Sequence, residues 1–95
     1  MAVTLCVLLW PREGHEAELV AYEDRVLQVL LDHRGCLLQR ARTLERVAEP
    51  LEVQLIQFPS EDDLDAYMKD DRRIALSGDR DLAVGRTEVF RVDLI

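Results

Sequence analysis

The chain has 95 residues, of which 48% are hydrophobic and 33% are charged. This composition is ordinary for one soluble globular domain and excludes a disordered or a repeat protein. Nineteen acidic against twelve basic residues give a formal net charge of −7, which repels phosphate backbones and anionic lipids, so we expect no nucleic-acid partner. A chain this short buries only about two-thirds of its unfolded surface. A second subunit would stabilise it, and we expect a homodimer.

The first ten residues, MAVTLCVLLW, are apolar but lack a basic leader and are followed by Pro11, Arg12 and Glu13, which is unlike a signal peptide. The run is also shorter than the roughly 20 apolar residues that span a bilayer. The two cysteines, Cys6 and Cys36, fit free thiols in a reducing compartment better than a disulfide framework. We therefore expect a cytoplasmic protein that does not associate with membranes.

The first half of the chain predicts a strand, a helix and a second strand. Residues 3–10 are rich in Val and Leu and predict a buried strand. Gly14 turns the chain, and the apolar positions of residues 15–33 then recur at steps of three and four, which is helical spacing. We expect Gly35 to end the helix in the left-handed conformation. Residues 36–43 predict an edge strand with alternating faces. One face would carry Leu37, Gln39, Ala41 and Thr43, and the other Cys36, Leu38, Arg40 and Arg42.

The second half begins with a strand over residues 51–58 that ends at Pro59. Ser60 is predicted to cap the following helix together with Asp63. This helix would direct Leu64, Tyr67 and Met68 inward.

We expect a helix break near Asp70, because a straight continuation would place an aspartate in the apolar stripe. A short capped helix would then run through residues 74–76. Residues 79–85 predict a polar loop, and residues 86–95 predict the last strand.

The element order is βαββαβ, which predicts an α+β, ferredoxin-like domain over residues 1–95. Its four-stranded antiparallel sheet would carry the first and third strands in the middle and both helices on one face. The third strand would then separate Cys6 from Cys36 and prevent a disulfide. The other face is predicted to be apolar and to need cover by a second subunit. We expect it to carry Thr4, Cys6, Leu8 and Trp10, with a share of Ile56, Phe58 and Val89.

This pattern resembles a known superfamily over nearly the whole chain. The features that carry the resemblance are the Pro and Gly turn after the first strand, the Gly that ends the first helix, the sequence Phe58-Pro59-Ser60-Glu61, and Tyr67. They are similar to those of the dimeric α+β barrel superfamily, in particular short uncharacterised proteins related to the antibiotic-biosynthesis monooxygenases. The resemblance implies a homodimer with a small-molecule cavity. Related proteins include cofactor-free oxygenases, haem-degrading enzymes, lactone isomerases and proteins without known activity. The sequence contains no Asn, so it lacks the Asn-dependent oxygen activation of several relatives.

Two residues are candidates for proton transfer. Helical projection places Glu23 between Leu27 and Leu30 on the inner face of the first helix. A carboxylate there should have a raised pKa or a cationic partner, which fits general acid–base work or a salt bridge to a strand arginine. Glu23 would otherwise lie on the exposed rim of a wide helix face. His33 lies near the same stripe and would either shuttle a proton or cap the helix end.

The remaining candidates predict a binding pocket. Arg40, Arg42 and Arg91 are expected on one sheet face, where they would bind an anionic ligand at the dimer interface or form ion pairs there. Trp10, Tyr22 and Tyr67 would form pocket walls or simply pack. The predicted pocket therefore contains Trp10, Tyr22, Glu23, His33, Arg40, Tyr67 and Arg91.

Two classes of function fit this pocket. As an enzyme, the protein would be a cofactor-independent oxygenase or isomerase acting on a small organic molecule. As a non-enzyme, it would bind a small molecule or serve in assembly. His15 and Glu18 are one pair of potential metal ligands without a third, and no phosphate-binding glycine loop or nucleophile elbow occurs. We expect neither a metal nor a cofactor.

Overall fold

The computed structural model describes all 95 residues. Four strands and four helices follow one another in the order βαββαααβ. They are β1 (Val3–Pro11), α1 (Glu16–Leu31), β2 (Cys36–Arg42), β3 (Glu52–Phe58), α2 (Glu61–Met68), α3 (Asp71–Ala75), α4 (Ser77–Ala83) and β4 (Val84–Arg91). No helix combines the length and the apolar character that crossing a bilayer requires.

The strands form one antiparallel sheet in the order β2-β3-β1-β4. The predicted central position of the first and third strands is confirmed. Cys6 on β1 and Cys36 on β2 are free thiols, and β3 lies between their strands. The core lies between one sheet face and the helices, where Val3, Leu5, Val7 and Leu9 of β1 are buried.

The start of α2 and the following break were correctly predicted. The Ser60 hydroxyl accepts a hydrogen bond from the Asp63 backbone N–H, and Asp70 caps α3 by accepting from the backbone N–H of Arg72. Each cap satisfies a donor that the first helical turn leaves free. The chain therefore changes direction between Met68 and Asp71, and α3 packs against α1.

The predicted end of α1 was wrong in its geometry. Arg34, not Gly35, has the left-handed backbone, with φ of 64°. Gly35 donates its N–H to the Leu30 carbonyl, and a Cβ at this position would lie 2.6 Å from the Leu30 side chain. The glycine is therefore required by a close approach to the last turn of α1.

The predicted loop at residues 79–85 was also wrong. Helix α4 occupies Ser77–Ala83, and β4 begins immediately at Val84 and ends at Arg91. Ala83 is buried, and α4 packs against α1. Tertiary packing therefore outweighs the weak helix propensity of a segment that contains Gly78.

An irregularity in β2 overturns the predicted faces of that strand. The register with β3 shifts between Leu37 and Gln39, as in a β-bulge, which reverses the alternation of the residues that follow it. Arg40 consequently pairs with Gln54 and Arg42 with Glu52. Both arginines lie on the helix-facing side of the sheet, and not on the outer face where we expected them.

The residues on the outer face of the sheet are only partly those that were predicted. Thr4, Cys6, Leu8 and Trp10 alternate with the buried residues of β1 and lie on this face, as predicted. Ile56 and Phe58 are buried against the helices, and Val89 lies opposite buried Val7, so all three belong to the helix-facing side. The apolar outer residues contributed by the other strands, judged from their register with β1, are Val53, Leu55 and Phe90.

Candidate functional site

A cavity of about 440 Å³ lies between the helix-facing side of the sheet and the helices. Hydrophobic residues form most of its wall, among them Leu5, Val7 and Leu9 of β1 and Val26 and Leu27 of α1. Its polar lining includes Tyr22, Glu23, Gln54, Tyr67, Arg73 and Arg80. Met68 and Val89 also line it and are about half exposed, which marks the side on which the cavity opens to solvent. The volume suits a small organic molecule.

Glu23 lies at the wall of this cavity, as its helical position predicted. The side chain comes from the middle of α1 and the residue is only 5% exposed. Gln54 Nε2 donates a hydrogen bond of 2.7 Å to Glu23 Oε1. Burial raises the pKa of Glu23, while the Gln54 hydrogen bond opposes that rise and the nearby charge of Glu52 adds to it. Glu23 therefore keeps its proton to higher pH than an ordinary glutamate.

Glu23, Gln54 and Glu52 form a row of buried side chains joined by hydrogen bonds. Glu52, the second carboxylate of this row, is completely inaccessible to solvent. Gln54 Nε2 also donates to Glu52 Oε1, at 3.1 Å. Arg40 donates Nε to Glu52 Oε1 at 2.7 Å and Nη2 to Oε2 at 2.8 Å, which is the paired geometry of a strong guanidinium–carboxylate contact. Arg40 also donates Nη1 to Asp24 at 2.7 Å. Arg40 therefore serves this carboxylate network and lies outside the cavity lining, contrary to its predicted role.

Arg73 of α3 and Arg80 of α4 bring positive charge to the cavity. The Arg73 guanidinium carbon lies 5.1 Å from the centre of the Tyr67 ring, and Arg80 Nη2 donates to Thr87 Oγ1 at 3.2 Å. Burial raises the pKa of Tyr22, an effect that the charges of Arg73 and Arg80 partly offset. Burial likewise raises the pKa of Tyr67, again opposed by Arg73. Both tyrosines therefore line the cavity as neutral phenols at ordinary pH.

His33 lies just outside the cavity, behind Tyr67. Its Nε2 is 2.7 Å from Asp70 Oδ2, and its ring packs edge-on against Tyr67 with centroids 6.3 Å apart. Asp70 also binds the Arg72 guanidinium. The hydrogen bond from Arg72, and to a smaller extent that from His33, holds the pKa of the Asp70 carboxyl far below its usual range. His33 therefore joins the end of α1 to the start of α3 and does not line the cavity as we expected.

Of the two other residues predicted to line the pocket, Trp10 lies outside the cavity and Arg91 lines it. Trp10 lies on the outer sheet face, where its indole N–H donates to the Ala48 carbonyl at 2.8 Å and Arg86 stacks 4.5 Å from the ring centre. Trp10 is therefore not a cavity wall. Arg91 does line the cavity. It lies opposite buried Leu5 on the helix-facing side of the edge strand, not on the outer face where we expected it, and its guanidinium binds Glu61.

The predicted pocket thus separates into two groups. The structure brings four of its residues together in the lining, namely Tyr22, Glu23, Tyr67 and Arg91, and leaves three outside it, namely Trp10, His33 and Arg40. Sequence reasoning missed Gln54, Arg73 and Arg80. Gln54 alternates with Ile56 and Phe58 along β3, so recognising those two as core residues would have placed it on the same side.

The structure contains no group of three or more His, Cys, Asp or Glu side chains that could hold a metal ion. His15 Nδ1 lies 3.7 Å from Glu18 Oε1, one helical turn away along α1.

No family model and no curated protein matches this chain. Solved structures do match it along nearly its whole length. A protein of unknown function from Rhodopseudomonas palustris, RPA0582, has a TM-score of 0.79 at 14% identity, over 99% of this chain and 82% of that one. A dimeric protein of unknown function with a ferredoxin-like fold, from Bacteroides fragilis, has a TM-score of 0.70 at 12% identity, over 98% and 96%.

The cofactor-independent oxygenase SnoaB from Streptomyces nogalater is a further neighbour. Its TM-score is 0.72 at 13% identity, over 99% of this chain and 95% of that one. At these identities the similarity is one of fold, and fold alone does not determine a reaction. The chain therefore has the predicted α+β, ferredoxin-like fold, with dimeric and oxygenase proteins among its structural neighbours.

Proposed function

We propose that the protein is an enzyme that binds a small organic molecule in the 440 Å³ cavity and moves a proton on it, with Glu23 as general acid–base. The observation that carries this proposal is the placement of a buried carboxyl group at the cavity wall, with an amide rather than a cation as its hydrogen-bond partner. Burial raises the pKa of Glu23 towards the range in which a carboxyl group both accepts and returns a proton.

Gln54 prepares Glu23 for this role. It holds Oε1 of the carboxyl group through a hydrogen bond of 2.7 Å, which fixes the group's orientation and leaves Oε2 for a substrate. In the proposed step, a carbon acid in the cavity transfers its proton to Glu23 and keeps the electron pair on carbon. The positive charges of Arg73 and Arg80 favour the resulting anion.

Two reaction types begin with this step. Return of the proton to a different carbon completes an isomerisation, which needs no other reactant. In an oxygenase, the carbanion instead forms a C–O bond with molecular oxygen, which accepts its electrons; the resulting peroxide takes up the proton from Glu23 and loses water to leave a carbonyl group. The neighbour SnoaB is a cofactor-independent oxygenase. We favour isomerase or oxygenase chemistry of this kind, without a metal or a cofactor.

The proposed enzyme is a homodimer formed through the outer sheet face. Support comes from the apolar side chains of Cys6, Leu8, Val53 and Leu55, which are only partly covered in one protomer, and from the dimeric structural neighbour. A second copy would remove this surface from water.

Hydrogen exchange into probe compounds tests the proton transfer, whatever the natural substrate is. The protein is incubated in heavy water with a panel of small enolisable ketones, lactones and hydroxyaromatic compounds, and deuterium uptake into each compound is followed by mass spectrometry. We expect catalysed uptake by at least one compound, its loss in Glu23→Gln, and its retention in Glu18→Gln, which alters an exposed carboxylate on the same helix.

The same experiment separates the two classes of function. Compounds that bind without exchanging deuterium would favour a non-enzymatic binding protein, which the cavity also permits. Exchange that persists in Glu23→Gln would contradict the proposed acid–base role.

The dimer is tested by sedimentation of the unmodified protein and of Leu55→Lys, which places a charge in the middle of the outer face. We expect a dimer for the former and a monomer for the latter. Gln28→Lys, on the exposed side of α1, is the matched control and should remain dimeric. A monomeric unmodified protein at micromolar concentration would overturn the assembly.

A further inference from the structure

The arginines of this protein divide into those paired with carboxylates and those that are not. Several surface arginines form ion pairs, among them Arg25 with Asp79, Arg46 with Glu16 and Arg86 with Glu88. Arg73 and Arg80 differ in that they line the cavity and form no salt bridge. In a chain with a net charge of −7, two guanidinium groups at one cavity therefore remain without a carboxylate in salt-bridge contact.

The contacts of Arg73 leave part of its hydrogen-bonding capacity unused. Its Nε is buried and has no hydrogen-bond partner, while the guanidinium carbon lies 5.1 Å from the centre of the Tyr67 ring. A buried donor without an acceptor costs free energy unless something binds it. The Arg73 guanidinium also belongs to the cavity lining, where a ligand with acceptor oxygens would give it hydrogen-bond partners.

Arg80 approaches the same cavity from α4. One of its terminal nitrogens donates to the Thr87 hydroxyl on the edge strand, a neutral acceptor that leaves the guanidinium charge uncompensated. Arg73 and Arg80 lie on consecutive helices, α3 and α4, which contact each other, and both side chains line the cavity. Guanidinium groups bind carboxylates through paired hydrogen bonds.

We propose that the ligand of this cavity is a small organic carboxylate whose charged group is bound by Arg73 and Arg80 and whose hydrocarbon body lies against the apolar wall. This inference rests on the proposed function and adds the substrate class to it. Twelve of the nineteen lining residues are hydrophobic when the rings of Tyr22 and Tyr67 are included, which favours an organic anion over inorganic phosphate.

The acidic groups near the cavity are compatible with an anionic ligand. Glu52 is paired with Arg40, and Arg91 at the edge strand is paired with Glu61. Asp65 of α2 also lines the cavity. Glu23 faces the ligand directly, and burial raises its pKa, so its repulsion of an anion is weakened.

Calorimetric titration with benzoate and with benzamide, its neutral counterpart, tests the proposal. We expect the unmodified protein to bind benzoate about tenfold or more tightly than benzamide, because charged hydrogen bonds are the stronger ones. Arg73→Gln and Arg80→Gln should each reduce this preference, whereas Arg73→Lys should preserve part of it. Arg25→Gln, which removes an exposed arginine from α1, is the matched control and should retain the full preference.

The outcomes distinguish this inference from the enzymatic proposal. Equal affinity for the two probes, binding of inorganic phosphate in preference to benzoate, or an unchanged preference in both glutamine variants would overturn the carboxylate site. Glu23→Gln should keep the benzoate preference even though it lacks the proton-transfer group. Loss of deuterium exchange with a retained preference therefore supports both proposals, and a retained preference without any exchange in the unmodified protein leaves binding as the function.

Discussion

Glu23 and Glu52 both accept a hydrogen bond from the side-chain amide of Gln54, but only Glu52 is also bound by an arginine. Glu52 lies at a closed end of the row, where Arg40 binds both of its oxygens and Asp24 binds Arg40 in turn. Glu23 lies at an open end, where the cavity begins and the amide is its only hydrogen-bond partner. The closed end is a complete ion-pair network. The open end is a buried group without a counter-ion.

This difference indicates which charges are structural and which are available to a ligand. A buried carboxylate bound by a guanidinium is neutralised within the protein and is costly to disturb. A buried carboxyl group at a cavity whose lining also holds guanidinium groups without salt bridges has the environment of a functional site. Four changes probe the two ends, beginning with the one of largest expected effect.

Loss of the cation should damage the closed end severely. In Arg40→Met, Glu52 remains fully buried but loses the two hydrogen bonds that balance its charge. We expect the free energy of unfolding to fall by about 3 kcal/mol, as measured by urea denaturation. Arg42→Met is the comparison, because Arg42 is half exposed and only approaches Glu52, at 3.5 Å, and it should cost much less. Equal losses in the two variants would contradict the assignment.

At the open end, stability should depend on pH through Glu23. Its pKa is raised in the folded state, so its contribution to stability is complete below the pKa of the unfolded chain and is lost as pH rises through the folded value. Relative to Glu23→Gln, the unmodified protein should therefore lose about 1.4 kcal/mol for each unit that separates the two pKa values. Urea denaturation of both proteins across this pH range measures the difference. A gap that is constant with pH would rule out the raised pKa.

A smaller effect is expected from the cation beside Tyr67. A side-chain hydrogen bond with Arg73 and, to a smaller extent, the charge of Arg73 partly offset the rise that burial imposes on the pKa of Tyr67, so Arg73→Gln should raise that pKa further. Ultraviolet difference titration follows the ionisation, and Tyr67→Phe identifies which tyrosine is responsible. Arg25→Gln should leave the titration unchanged, since Arg25 pairs with Asp79 on the surface.

The smallest change in the free energy of unfolding is expected at Asp24, the exposed residue that binds Arg40 at the closed end. Asp24 is more than half exposed and binds Arg40 at the surface, where ion pairs contribute little. Asp24→Asn should lower the free energy of unfolding by less than about 1 kcal/mol. A loss comparable with that of Arg40→Met would mean that the network depends on its exposed member.

The sequence predicted the features that follow from local periodicity and capping. The cap at Ser60, the break at Asp70 and the inward position of Glu23 follow from residues close together in the chain. The strand order follows from the sequence of elements and the right-handed crossovers that connect parallel strands. The fold was therefore largely predictable.

The site was less predictable because its members depend on distant packing. The bulge after Leu37 turned Arg40 to the other side of the sheet, and a two-residue periodicity carries no sign of such an insertion. Arg80 was assigned to a loop because the segment around it has little helix propensity of its own. Arg73 reaches the cavity because α3 packs against α1. The residue spacing within α3 does not predict that contact.

The most direct test is a titration of the Glu23 carboxyl carbon by nuclear magnetic resonance, in protein labelled at its glutamates. Glu23→Gln identifies the resonance by its disappearance. The predicted result is a midpoint above that of an ordinary glutamate, which rises further when benzoate fills the cavity, because a bound anion disfavours the ionised carboxylate. A midpoint at or below the ordinary value, unaffected by benzoate, would contradict the assignment of Glu23 as the proton-carrying group of the cavity.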